Sequence, residues 1–258
     1  MNTTVIDYTN FKREHLCCVL RDRNGEGRIA AKRDWLEKVF EDGLVLRKGD
    51  VNGRVFLEYM PAEYCWFPVD APGYMFIHCY RIDEKFENLG YEEDLWRECI
   101  AESRIKHKKG LCVIVGRENL PNLNRRDDFL ERGFKECDRA DPYFELMYLP
   151  FNEGEADTPR FMEGIEDAEV DDGWVLFYSH QCPHTAKIVE RLKKKAGEAG
   201  IELKTVLLEK QKETGRIPLI PSVYTTFALF KDGRFITHEM LSPAKFAKII
   251  KEKAEDKA

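Results

Sequence analysis

One thiol in this sequence stands where a thiolate is easily made. Cys182 follows the apolar run Trp174–Ser179, and Pro183, His184 and Thr185 then open a helical pattern that runs to about Ala199, before Gly200. Unpaired amides and the helix dipole lower the pKa of a thiol at a helix N-cap, and proline suits the first turn. Thr185 occupies the place where a resolving cysteine would sit, and no C-x-x-C pair occurs anywhere in the chain. That argues against a zinc ribbon and against a dithiol oxidoreductase. Three roles stay open for Cys182: a monothiol that forms mixed disulfides, a holder of a substrate thiol or metal, or an inert residue. His184 either adds positive charge beside the thiolate or faces solvent.

The groups that could move protons lie in the other half of the chain. Glu58, Glu63 and His78 sit within or beside apolar, β-rich runs. Alternation puts Glu58 on the same strand face as Phe56 and opposite Leu57 and Tyr59. Both faces are apolar, so which one is buried stays open. A carboxylate on a central strand can have its pKa raised into the range of a general base; the other reading is a salt-bridged or edge-facing glutamate. His15, Leu16, Cys17 and Cys18 suggest a soft-metal site, but adjacent cysteines chelate one metal with poor geometry. The preferred reading there is a strand or turn with one buried and one exposed thiol.

These residues need elements to position them. The apolar spacing of Trp35, Val39 and Phe40 predicts a helix over Ala31–Glu41. Short strands are predicted at Leu44–Leu46 and Val55–Tyr59, and a central strand at Tyr74–Tyr80. A helix over Gly90–Ser103 and a buried strand over Leu111–Val115 come next. A short helix, Asp127–Arg132, stops at Gly133, before strands at Phe134–Cys137 and Tyr143–Leu149. The segment 152–172 holds nine acidic residues, two glycines and Pro159 without an apolar period, and reads as a linker. Beyond it come strand Trp174–Ser179, the Cys182 helix, strand Leu203–Leu208, a hairpin around Asp232-Gly233 and a closing helix, Ser242–Lys253.

A net charge of −6 and scattered lysines leave no broad basic footprint, so nucleic acid is not an expected partner. No run approaches the ~20 apolar residues of a membrane helix. The first residues lack a basic start and an apolar core, so a cytoplasmic protein is expected. Eight cysteines, several inside apolar runs, fit reduced thiols in a reducing compartment.

The stretches Glu14–Cys18, Val55–Glu63 and Pro142–Leu146 make the first part resemble the GNAT acyltransferases. Together with Ser179–Pro183 and Tyr224–Phe230, they make the whole chain resemble the YoaP-like branch. There a GNAT domain precedes a small thioredoxin-like domain. The resemblance implies an α/β (α+β) architecture: a GNAT mixed sheet over 1–151, an acidic linker over 152–172, and a thioredoxin-like domain over 173–258. It also implies that strand Tyr74–Ile82 splays from Leu111–Val115 and that acetyl-CoA, or another acyl-CoA, lies in the cleft. Backbone at Cys79, Tyr80 and Ile82 would pair with the pantetheine arm. Lys85, Asn88, Gly90 and Tyr91 would hold the pyrophosphate at a helix N-terminus.

The chain departs from the family's Gln/Arg-x-x-Gly-x-Gly/Ala loop. Lys85 stands in for the cation, and Asn88 replaces the first glycine, a residue that tolerates the left-handed region. Glu87, Glu92, Glu93 and Asp94 raise the cost of placing a diphosphate there, although the helix dipole favours them when no phosphate is bound. Phe129 occupies the place of the family's proton-donating tyrosine, so Tyr143 or a nearby thiol would have to act. In the second domain Thr225 falls where cis-proline belongs, and Pro221 lies four residues too early.

The reading with most support is an acyl-CoA-dependent N-acyltransferase that transfers acetyl to a small amine, with Glu58, Tyr143 and Cys182 at its site; the expected partner is a small-molecule amine or thiol. The alternative is a GNAT scaffold that has lost its cofactor and works through Cys182 as a monothiol redox or thiol- or metal-binding module. Oligomeric state is open.

Overall fold

The computed structural model describes residues 2–16, 19, 27–152, 154, 157–211 and 215–255. Cys17 and Cys18 lie outside the described residues. The chain forms two compact units, Met1–Arg21 with Arg33–Glu163, and Asp22–Lys32 with Gly164–Ala258.

In chain order the elements of the first part are β1 (Thr3–Ile6), α1 (Arg28–Val39), β2 (Val45–Gly49), β3 (Val55–Pro61), β4 (Val69–Asp70) and β5 (Tyr74–Ile82). They continue with α2 (Tyr91–Ile105), β6 (Gly110–Gly116), α3 (Arg126–Leu130), β7 (Lys135–Ala140), β8 (Phe144–Pro150) and β9 (Arg160–Phe161). Seven of the strands make one sheet in the order β1-β2-β3-β5-β6-β8-β7. Only β5 and β6 run parallel; the remaining neighbours are antiparallel. β3 and β5 are apolar on both faces, as central strands must be when both faces are covered. On one face Leu57, Tyr59, Met75, Ile77 and Val113 pack against Leu95, Trp96 and Cys99 of α2 and Phe129 of α3. On the other, Trp35 of α1 meets Trp66 and His78 at ring distances of 5.8 and 5.9 Å.

β1 was not anticipated: Thr3–Ile6 is too short and too polar to show a period, and its pairing with β2 holds it. Nor was any strand foreseen within 152–172, where β9 pairs with β4.

The second unit contains β10 (Trp174–Tyr178), α4 (Thr185–Glu198), β11 (Leu203–Leu207), β12 (Phe227–Lys231), β13 (Arg234–Thr237) and α5 (Pro243–Glu255). Its sheet runs β11-β10-β12-β13, with β10 parallel to β11 and antiparallel to β12. Val189 and Leu192 of α4 and Phe246 and Ile250 of α5 cover one face against Trp174 and Leu176. Asp232 and Gly233 take φ of 49° and 72°, the left-handed pair that a tight hairpin requires.

Helix α4 begins at Thr185 with His184 as its N-cap, which corrects the expected start at Pro183. Cys182 therefore sits in a turn before the helix and not at its N-cap. The Thr185 hydroxyl shares its hydrogen between the carbonyls of Ser179 (2.7 Å) and Cys182 (2.8 Å) and closes that turn.

Two glycines give opposite stability effects. A Cβ at Gly110 would run into the Leu149 carbonyl of β8 and lie 2.8 Å from the Tyr74 ring, whereas one at Gly197 on α4 meets nothing within 4 Å. Gly110→Ala is expected to cost about 1–3 kcal/mol. Gly197→Ala is expected to add about 0.5–1 kcal/mol. Denaturant unfolding of the two variants measures both.

Candidate active site

The parallel pairing of β5 with β6 ends early. It covers Tyr74↔Gly110 to Ile77↔Val113, yet β5 continues to Ile82 and β6 to Gly116. At the same level β5 bulges against β3: Glu58 pairs with Cys79 and Tyr59 with Ile77, which leaves His78 between the two registers. A bulge adds twist and re-aims the side chains beyond it. Met75 and Ile77 face the α2 core before the bulge, and Tyr80 faces the same core after it. Beyond the bulge the outer halves of β5 and β6 no longer pair with each other, and Asn124 lies between them.

Glu58 and His78 meet beside this bulge. The His78 Nδ1–Glu58 Oε1 distance is 3.3 Å, with side-chain exposures of 0% and 2%. Rings of Trp35, Phe67 and Phe76 surround the imidazole at 5.9, 5.7 and 5.6 Å. The open question about Glu58 thus has a definite answer: both faces of β3 are buried, and the carboxylate faces a histidine. Glu63 is placed differently. Burial pushes its carboxyl up, but hydrogen bonds from the Gly73 N–H and Lys108 outweigh that and hold it below the usual range. It anchors a turn. His15 lies away from this group, its Nε2 3.1 Å from the Val51 carbonyl oxygen, and its pKa is lowered by burial first and by Lys48 second.

At the far end of β5 a hollow of about 560 Å³ is lined by Arg54, Ile82, Asp83, Glu84, Lys85, Glu87 and Arg125. Arg54 donates to Asp83 at 2.6 Å, and Lys85 donates to the Asn52 carbonyl at 3.2 Å. The loop then reaches α2 through Asn88 and Gly90, whose φ values are 59° and 81°, so Asn88 takes the left-handed conformation of the glycine it replaces. Gly90 caps α2, and Tyr91 is its first residue.

Two of the acids at the start of α2 are paired. Glu92 accepts a hydrogen bond from the Tyr80 hydroxyl at 2.8 Å and pairs with Arg132. Asp94 pairs with Arg97 at 2.6 Å. The Tyr80 phenol is raised by burial first and by Glu92 second, and stays protonated. Phe129 is buried between Tyr80, Trp96 and Phe134, with ring distances of 6.3, 5.7 and 5.1 Å.

The expected site residues are not all brought together. Cys79, Tyr80 and Ile82 line the diverging half of β5, and Lys85 to Tyr91 follow directly. Tyr143 lies in the turn before β8, with its ring 4.8 Å from Phe144. From β3 to β8 is three strand spacings, roughly 14 Å, so Tyr143 and Glu58 stand on opposite sides of the split between β5 and β6. Cys182 belongs to the second unit. Arg54, Arg81, Asn124 and Arg125 also line or bridge the region, and sequence reading missed them. The pair Arg125-Arg126 ahead of a helix was the available signal. The cis peptide among the described residues is Asp141–Pro142; Thr225, in a trans linkage, is buried.

An N-acetyltransferase of Bacillus subtilis (strain 168), YoaP, itself described as uncharacterized, is 33% identical over 242 residues, spanning 93% of this chain and 95% of that one. The YoaP-like family model matches residues 219–248. The chain belongs to the YoaP family. Within the YoaP-like match lie β12, β13 and the start of α5, whereas Cys182 lies before it. Among solved structures, a Pyrococcus horikoshii OT3 protein aligns at a TM-score of 0.40 and 16% identity, over 58% of this YoaP-family chain and 99% of its own. A GNAT family acetyltransferase of Brucella melitensis, solved with acetyl-CoA, aligns at 0.36 and 13% over 62% and 93%. Among the described residues no helix is long and apolar enough to cross a membrane.

Removing one partner of a buried hydrogen-bonded pair leaves the other unsatisfied. Glu58→Ala is therefore expected to cost about 1–3 kcal/mol, with Glu58→Gln costing less because it keeps a hydrogen bond to His78. Thermal unfolding of both variants checks the order.

Proposed function

We propose that this chain transfers an acyl group, acetyl first among them, from acyl-coenzyme A to a small amine. The observation that carries the reading is the divergence of β5 from β6 at the His78 bulge. It leaves an extended backbone edge, with a hollow lined by three cations and three acids at its end and a buried acid–imidazole pair at its start. The name of the Bacillus subtilis relative supports the same chemistry.

The residues present fit such a donor. Arg54, Lys85 and Arg125 would hold its phosphates beside Asp83, Glu84 and Glu87 of the same hollow, and Arg132 and Arg97 pair two of the four nearby acids, Glu92 and Asp94. The β5 backbone from His78 to Ile82 orients the pantetheine arm, and its amides polarise the thioester oxygen. Glu58 fixes His78, whose buried imidazole holds β5 at the bulge, and the acceptor amine gives its proton to water as its nitrogen bonds to the acyl carbon and the carbon–sulfur bond breaks. Tyr143, across β6, returns a proton to the departing sulfur. Phe129 cannot do so.

The strand order and directions of the second unit support a thioredoxin-like arrangement, in which it serves as an accessory domain. One observation favours a second reading centred on Cys182. Lys32 is buried, and its ammonium donates to the Gln181 carbonyl at 2.7 Å, one peptide from the thiol, where a cation stabilises a thiolate. This reading gives the chain monothiol redox or thiol-binding activity.

Calorimetry with acetyl-CoA tests the transferase reading. Binding is expected with a Kd between about 1 μM and 1 mM. Lys85→Ala and Arg125→Ala should each weaken it about tenfold, the worth of one charge-assisted hydrogen bond. No binding at millimolar ligand would reject the reading.

A further inference from the structure

The diverging edge of β5 is held by side chains, not by another strand. The Tyr80 N–H donates to Asn124 Oδ1 at 3.0 Å, and Asn124 Nδ2 donates to the His78 carbonyl at 3.4 Å. The same residue forms a one-residue parallel bridge with Val115 of β6. Asn124 therefore stands between the two strands and offers β5 an amide carbonyl and an amide N–H, the groups a neighbouring strand would offer. Arg81 completes the arrangement. Its Nη1 donates to the Tyr80 carbonyl at 2.8 Å and its Nη2 to the Leu123 carbonyl at 2.6 Å. His78 carbonyl, Tyr80 N–H and Tyr80 carbonyl are thus all satisfied by groups that can rotate away.

We infer that Asn124 is a placeholder for the amide of the acyl donor's arm, and that it sets how tightly this chain takes the donor. The inference rests on the acyl-CoA reading above. A buried N–H or C=O left unpaired is costly, so without a ligand the split needs a substitute amide. A ligand that pairs with β5 through its own amide must first displace the carboxamide. The occupant is accordingly a chain with a secondary amide, a group that can both accept from Tyr80 N–H and donate to the His78 carbonyl. An ester or a simple alkyl thioester accepts but does not donate. Asn124 and Arg81 are positioning residues in this account, since neither reaches the acyl carbon.

Two variants separate this role from a structural one. In Asn124→Ala the edge is bare, and ligand binding no longer has to displace the carboxamide. Acetyl-CoA should then bind about tenfold more tightly than to the unmodified chain, and its addition should raise the thermal midpoint by more than it does for the unmodified chain. Asn124→Asp keeps the acceptor for Tyr80 N–H but sets a carboxylate against the His78 carbonyl; its displacement is favourable, so it too should bind more tightly. Calorimetry with acetyl-CoA and with S-acetyl-cysteamine, which carries only one end of the arm, provides the readout. Unchanged or weaker acetyl-CoA binding in both variants would overturn the placeholder while leaving the acyl-CoA reading standing. Binding to none of the three proteins would overturn both. A gain for acetyl-CoA in both variants supports the inference.

Discussion

Everything distinctive about the first unit follows from how far two parallel strands stay together. β5 and β6 pair from Tyr74 to Ile77, and there the His78 bulge against β3 redirects β5. A strand that turns away exposes N–H and C=O groups, which a protein must cover or use. Here the covering is made of side chains at Asn124 and Arg81, and the opening leads at one end to Glu58 and His78 and at the other to the hollow beside Lys85. The same bulge lets Tyr80 remain in the core beside Trp96 and Phe129, so the sheet opens without exposing its apolar face.

The electrostatics of the opening come from pairing more than from the number of charges. Four carboxylates cluster in Glu87–Asp94, and their count alone speaks against an anionic ligand. Arg132, brought from beyond α3, neutralises Glu92, and Arg97, one turn along α2, neutralises Asp94.

Much of this frame was legible in the chain. The continuous apolar runs Tyr74–Tyr80 and Leu111–Val115 mark buried central strands, and Asp232-Gly233 marks a hairpin, because these signals are local. Residue 88 takes the left-handed conformation, as an asparagine in a glycine position suggests. Other features were not legible because they depend on partners far along the chain. The face of Glu58 could not be chosen while Phe56 and Leu57 were both apolar, since a strand buried on two sides has no alternation. The bulge at His78 has no sequence signature here. The pairing of Glu92 with Arg132, and the bond from Asn124 across to Tyr80, join residues 40 and 44 apart. A thioredoxin-like loop puts its cysteine at the helix N-cap, but here the helix opens at Thr185 behind His184, with the Thr185 hydroxyl bonded back to the Ser179 carbonyl.

If the split between β5 and β6 seats the acyl donor, as proposed, hydrogen–deuterium exchange of the full chain with and without acetyl-CoA should show it. Added acetyl-CoA should slow exchange in peptides covering residues 78–91 and 114–126 and leave those covering 174–178 and 227–231 unchanged. Protection confined to the second unit, or none over 78–91 at saturating ligand, would contradict it.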